Sequence, residues 1–277
     1  MSSEIELSKG LAKEHYENFP VASFLLHKTI RSDVALYYRF AREADDMADE
    51  GILSATERTD KLNQYENDLR DALAGSSIKA FHIALAKSIQ THSINPQHFY
   101  DLISAFKQDV VKTRYINFDE ILDYCNRSAN PVGRILLELY SIHSEEAVKF
   151  SDAICTALQL TNFYQDISRD VEKGRIYFAL DEIAQFSANE HDILEKKATQ
   201  SILELIEFNV ERADTMFEQG EGLFNYLSGR FKLEIKWTVK GGREILRKIR
   251  HQNYDTLNKR PKLTKLDFVF LFLKGLV

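Results

Sequence analysis

Two stretches of this chain carry aspartates at a spacing that can do chemistry. The first reads Arg39-Phe-Ala-Arg42-Glu-Ala-Asp45-Asp46-Met-Ala-Asp49-Glu50, the second Gln159-Leu-Thr-Asn162-Phe-Tyr-Gln165-Asp166-Ile-Ser-Arg169-Asp170. In each, two aspartates stand four residues apart, so on a helix they project from one face, one turn apart. Asn162 sits a further turn back and extends the oxygen stripe of the second. Carboxylates crowded like this repel one another and resist burial unless something compensates them. A magnesium ion does so, since it takes hard oxygen ligands, commonly one or two carboxylates with waters and phosphate oxygens. Asp45, Asp49, Asn162, Asp166 and Asp170 are therefore the candidate metal ligands. The four aspartates are the candidate catalytic groups, because the metal they hold would neutralise charge growing on a departing diphosphate. Arg42, one turn before Asp45, is placed to pair with a phosphate oxygen. Asp119 and Asp123 repeat the spacing but read as a solvated helix face.

Long helices must present these residues. Only four prolines and 11 scattered glycines interrupt 277 residues, and no extended period-two alternation suggests strands. Ile154, Leu158, Thr161 and Gln165 step along one helical face, and Phe163, Ile167 and Val171 along another. Asn95-Pro96 and Asn117 with Glu120 look like helix starts. The pattern predicts helices at about 32–51, 55–74, 78–92, 96–113, 118–127, 131–141, 145–171, 198–227, 229–256 and 263–275. No linker or repeat divides them, so the expectation is an all-α bundle in one domain over residues 1–277.

Composition narrows the function. Hydrophobic residues at 44% and charged residues at 28% suit a globular protein. A net charge of -6 gives no support for a nucleic-acid partner. Two isolated cysteines, Cys125 and Cys155, and an N-terminus without an apolar h-region fit a reduced, cytoplasmic setting. The strongly apolar stretch Phe268 to Leu273 is too short to span a bilayer. With Lys259, Arg260, Lys262 and Lys265 before it, the tail reads either as a basic amphipathic segment for peripheral membrane contact or as a last helix packed on the bundle.

At its aspartate segments the sequence resembles the squalene/phytoene synthases, over about residues 15–265. The resemblance implies an isoprenoid-synthase helical fold around an apolar cavity, a magnesium cofactor and a prenyl diphosphate substrate. It equates Asp45 and Asp49 with the family's first motif, and Asn162, Asp166 and Asp170 with its second. It equates Tyr124, in Tyr124-Cys-Asn-Arg-Ser-Ala-Asn-Pro-Val-Gly133, with a tyrosine at the catalytic centre, and Gly133 with a glycine beside the prenyl tail. Tyr124 would assist the departing diphosphate or steer the carbocation and water. Gln159 and Tyr254 match positions lining the diphosphate end, and Tyr38 and Gln165 join the expected substrate-binding set. Phe19 and Phe163 are candidates to wall the cavity and face carbocations.

Four stretches, Glu17 to Ser23, Arg42 to Gly51, Leu160 to Asp166 and Gly241 to Tyr254, resemble the bacterial branch that forms hydroxysqualene in hopanoid pathways. That branch converts presqualene diphosphate and water to hydroxysqualene. Gln165 and Arg169 replace an arginine and a glutamate usual in condensing members, and Asn18-Phe19-Pro20 replaces a Ser-containing stretch. These departures disfavour head-to-head condensation of two farnesyl or geranylgeranyl diphosphates. A non-catalytic scaffold would be expected to have eroded aspartate motifs, and here both are intact.

Overall fold

The computed structural model describes residues 27–264 and Asp267. Eleven α-helices make up the described part: α1 (Arg31–Asp49), α2 (Ala55–Leu73), α3 (Ala80–Thr91), α4 (Gln97–Val111), α5 (Phe118–Ser128), α6 (Asn130–Leu139), α7 (Glu145–Asp170), α8 (Leu180–Gln185), α9 (Glu190–Leu194), α10 (Gln200–Gly220) and α11 (Gly229–His251). Short 3₁₀ turns follow α7 at Val171–Lys173 and α10 at Glu221–Asn225. The sole β-type pairing among the described residues is an isolated bridge between Tyr115 and Ala179.

Local chemistry sets most helix ends. Ser54 and Glu57 form a reciprocal capping box at α2, and the Ser144 hydroxyl accepts from the Ala147 N–H at α7. At α5 the Asn117 side chain accepts from the Glu120 N–H as expected, but the return half is absent. Glu120 accepts from the Ile116 N–H and from Lys112 instead. Asn95 does act at the start of α4, where its side chain accepts from the Gln97 N–H.

The readings of 198–227 and 229–256 as unbroken helices need correction. The first breaks after Gly220, where a Cβ would meet the Phe150 carbonyl oxygen at 3.0 Å, because α10 crosses α7 closely there. The second stops at His251, since Asn253 and Tyr254 turn to positive φ. The expected helix at 263–275 lies almost wholly outside the described residues.

Two cores form. Helices α1 to α4 bury Leu36, Phe40, Leu62, Leu85 and Phe99 against one another. A larger core gathers α5, α7, α10 and α11 around Ile121, Leu160, Tyr164, Ile206, Phe217 and Leu246. Leu136 and Tyr140, from α6 and just past it, pack against both. Between the cores lies an apolar cavity of about 350 Å³. Tyr38 and Ala41 of α1, Gly133 and Leu136 of α6, Leu158 of α7 and Ile235 of α11 are among its lining residues.

Candidate active site

The cavity-lining faces of α1 and α7 lead directly to the two aspartate pairs. On α1, Val34, Tyr38 and Ala41 line the cavity, and Asp45 and Asp49 continue the same face toward the C-terminus. On α7, Cys155 and Leu158 line it, followed at helical spacing by Asn162, Asp166 and Asp170. Tyr38 and Gly133, both expected to touch substrate, line the cavity. A Cβ at Gly133 would sit 2.7 Å from the Cys155 Sγ and press on the Ser151 hydroxyl, so only glycine lets α6 lie this close to α7.

Basic side chains meet the aspartates at the mouth. Arg42 pairs with Asp45 at 3.2 Å and with Asp46 at 2.7 Å. Asp49 is clamped, with Arg175 Nη2 2.6 Å from one oxygen and Lys173 Nζ 2.6 Å from the other. Burial would raise the Asp49 carboxyl, but those two cations outweigh it and hold it below the usual aspartate value. Asp166 pairs with Arg260 from the C-terminal segment. Burial and then the Asp166 charge push Asp170 up to about 7, against the pull of Arg175 and Lys173. Asp49 also acts on Asp170, and both Asp45 and Asp49 act on Asp109, so the two motifs share one electrostatic neighbourhood.

Behind the mouth, nearly buried Tyr124 donates its hydroxyl to Asp109 Oδ2 at 2.7 Å. Burial pushes the Asp109 carboxyl up to about 7, opposed by that hydrogen bond and by Arg175. Arg175 Nη2 also donates to the Asp109 carbonyl at 2.9 Å. The Tyr124 ring lies against Tyr115, Phe163 and Tyr177, and Phe163 stacks flat on Tyr177 with centroids 3.8 Å apart.

Two expected substrate contacts are placed otherwise. Gln165 is fully buried and its amide donates to the Pro261 carbonyl at 2.8 Å, so it anchors the C-terminal segment to α7. The Tyr254 hydroxyl donates to Glu207 of α10 at 3.0 Å rather than to either aspartate pair. Gln159 and Asn162 are half-buried on α7. Phe19 lies outside the described residues. Arg260, read above as part of a basic tail, turns onto Asp166.

The donor chemistry fits magnesium, because these are hard oxygen ligands and a divalent ion would offset the burial and the Asp166 charge that push Asp170 up. Among the described residues, no three acidic or imidazole side chains yet converge closely enough to hold an ion. Asp49 and Asp166 are engaged by cations instead. Sequence reasoning missed Asp109, which is single and carries no spacing signal. It also missed the roles of Lys173 and Arg175, although they follow Asp170 closely in the chain. Among the described residues no helix is long and apolar enough to cross a membrane.

Known proteins resemble this chain over most of its length. The chain is 31% identical to the hydroxysqualene synthase of Rhodopseudomonas palustris over 274 residues, covering 97% of this chain and 90% of that one. It is 36% identical to the hydroxysqualene synthase of Zymomonas mobilis over 210 residues, covering 74% and 69%. The crystal structure of squalene synthase HpnC from Alicyclobacillus acidocaldarius superposes with a TM-score of 0.85 at 36% identity, covering 91% of this chain and 95% of that one. Residues 12–267 match the squalene/phytoene synthase family. With that match over most of its length and with its all-helical fold, this chain belongs to the squalene/phytoene synthases, enzymes acting on prenyl diphosphates.

Proposed function

We propose that the chain, acting as one helical unit, converts presqualene diphosphate and water to hydroxysqualene and diphosphate. The observation that carries this reading is the continuity of two helix faces, apolar in the cavity and carboxylate-bearing at its mouth. A prenyl chain fits the first part by chemistry and a metal-bound diphosphate the second. Two kinds of support favour the water-consuming branch over condensation. Two of the relatives named above, those of Rhodopseudomonas palustris and Zymomonas mobilis, are hydroxysqualene synthases. Gln165, where condensing members usually carry arginine, is sealed against Pro261 and offers no charge to a second diphosphate.

Magnesium bound by Asp45, Asp49, Asn162, Asp166 and Asp170 would supply charge neutralisation for the leaving diphosphate. Arg42, Lys173 and Arg175 surround the same region and pair with phosphate oxygens as they separate from the aspartates. The apolar lining keeps bulk water from the carbocation, and the Tyr115, Tyr124, Phe163 and Tyr177 rings pack together around α7 beside the second aspartate motif. The reaction needs no reductant, and the product oxygen comes from one admitted water.

Incubation of purified protein and magnesium with presqualene diphosphate or with farnesyl diphosphate, followed by mass spectrometry, tests this. Hydroxysqualene from the first, lost in Asp45→Ala and Asp166→Ala, is the expected result. A C30 product from farnesyl diphosphate alone would identify a condensing synthase, and silence with both would remove the assigned substrate.

A further inference from the structure

The hydrogen bond between Tyr124 and Asp109 restricts what Tyr124 can do. A phenol has one proton to donate, and this one goes to Asp109 Oδ2 at 2.7 Å. The Tyr124 oxygen therefore meets anything else as an acceptor, which suits a water and not a departing diphosphate. Asp109 has unused capacity as well. Its Oδ1 is sealed from solvent and has no hydrogen-bond partner, whereas buried carboxylate oxygens are ordinarily satisfied.

The position of the pair matches such a role. Tyr124 rests on Phe163, five residues beyond Leu158 in the cavity wall and three before Asp166 at the mouth. At 1.5 Å per residue that is the level where the apolar wall gives way to the aspartates. Arg175 fixes the Asp109 backbone from the mouth side. The pair thus stands at the level between the apolar wall and the aspartates, where a carbon freed by diphosphate departure would meet water.

We propose that Tyr124, backed by Asp109, seats the single reacting water and removes its proton. This deepens the reading above and rests on it. After the diphosphate has left with the C–O bonding pair, the water oxygen forms a bond to the cationic carbon. One water O–H bond breaks, its proton moves to the Tyr124 oxygen, and the Tyr124 proton passes to Asp109 Oδ2. One positive charge on carbon and one negative charge on Asp109 become a neutral alcohol and a neutral carboxyl, and Tyr124 ends unchanged. Asp109 is a positioning residue that acts through Tyr124.

Asp109→Asn keeps the shape and can still accept from Tyr124, but it cannot take a proton. The test supplies presqualene diphosphate and magnesium to the wild type, Asp109→Asn, Tyr124→Phe and the double variant. Released diphosphate and C30 products are measured in the same samples. Hydroxysqualene formed per diphosphate released is expected to fall at least about tenfold in each single variant. Hydrocarbons formed by proton loss from carbon should replace it, and the double variant should be no worse than the worse single one. A purely structural hydrogen bond would lower both quantities in step and leave their ratio unchanged, which overturns the inference. Tyr124→Phe removes one atom and carries the same expectation if Asp109→Asn fails to fold by circular dichroism. A wild type that makes no hydroxysqualene would refute the proposed function itself, whereas a normal wild type with unaltered ratios in the variants would refute only the water-seating pair.

Discussion

Asp49 and Asp170 occupy matching places and end in opposite electrostatic states. Each is the last residue of a long helix and stands four residues after another aspartate of its motif. Each lies where the helix dipole disfavours negative charge. Yet Asp49 is held below the ordinary aspartate value, while Asp170 is pushed up to about 7. The cause is the turn after α7. Gly174 takes φ +69°, open to a residue without a Cβ, and the chain reverses so that Lys173 and Arg175 reach across to the end of α1. Cations near Asp170 in sequence thereby serve Asp49. Spacing shows where carboxylates gather, but the fold decides which of them receives the countercharge.

The largest effect expected from this contrast is on turnover. Asp49→Ala and Asp170→Ala should each lower it about 10²- to 10³-fold in steady-state assays, since both motifs serve one leaving group. Their metal-free stabilities should diverge at pH 8, where denaturant melts are expected to show Asp49→Ala destabilised by about 1–3 kcal/mol, with two cations left unpaired. Asp170→Ala should be neutral or stabilised. Equal destabilisation of both would break the comparison.

Arg175→Ala comes next, because that side chain joins Asp49 to the backbone of Asp109. Turnover should fall about 10- to 100-fold, and Arg175→Lys should recover little of it, since lysine cannot span both acceptors. Recovery by lysine would mean that charge alone matters there.

A smaller test lies away from the charges. Gly133→Ala forces a Cβ onto Ser151 and Cys155, so melts should show a loss of about 1–3 kcal/mol, the same at pH 5 and pH 8.

The pH dependence of the two aspartates should have opposite signs. Folded Asp170 retains a proton that the unfolded chain releases between its ordinary value near 3.8 and about 7. Across that window, metal-free wild type should lose stability relative to Asp170→Asn as pH rises. Asp49 is depressed, so its stabilisation is present above its unfolded value and is lost as pH falls through the lower folded one. Wild type should therefore lose stability relative to Asp49→Asn on acidification below about pH 4. Melts across pH 3–8 would check both signs. The smallest effect belongs to Lys173→Ala, a half-exposed member of the clamp, at less than about 1 kcal/mol in the same melts.

How far the sequence revealed this molecule depended on length and repetition. The long helices showed themselves because apolar residues recur over many turns, and the limits of α7 at Glu145–Asp170 fall within a residue of expectation. Helices α8 and α9 went unread, since Leu180 with Ile183 and Ile193 with Leu194 are too few to display a period. The aspartate pairs were legible for the same reason as the long helices, because spacing repeats. Asp109 was not, since nothing local distinguishes it and its partners Tyr124 and Arg175 lie outside its own helix. The Gln165 contact could not be read from spacing, because a helical residue next to a motif aspartate faces about 100° away from it, here toward Pro261.

The most direct test of the central claim follows the oxygen atom. Presqualene diphosphate is turned over once in ¹⁸O-labelled water with magnesium, and the product alcohol is examined by mass spectrometry alongside released diphosphate. Cleavage of the carbon–oxygen bond and capture of one water predict hydroxysqualene with one ¹⁸O per diphosphate released. An unlabelled alcohol, which would mean cleavage at phosphorus, or no hydroxysqualene at all would contradict the account.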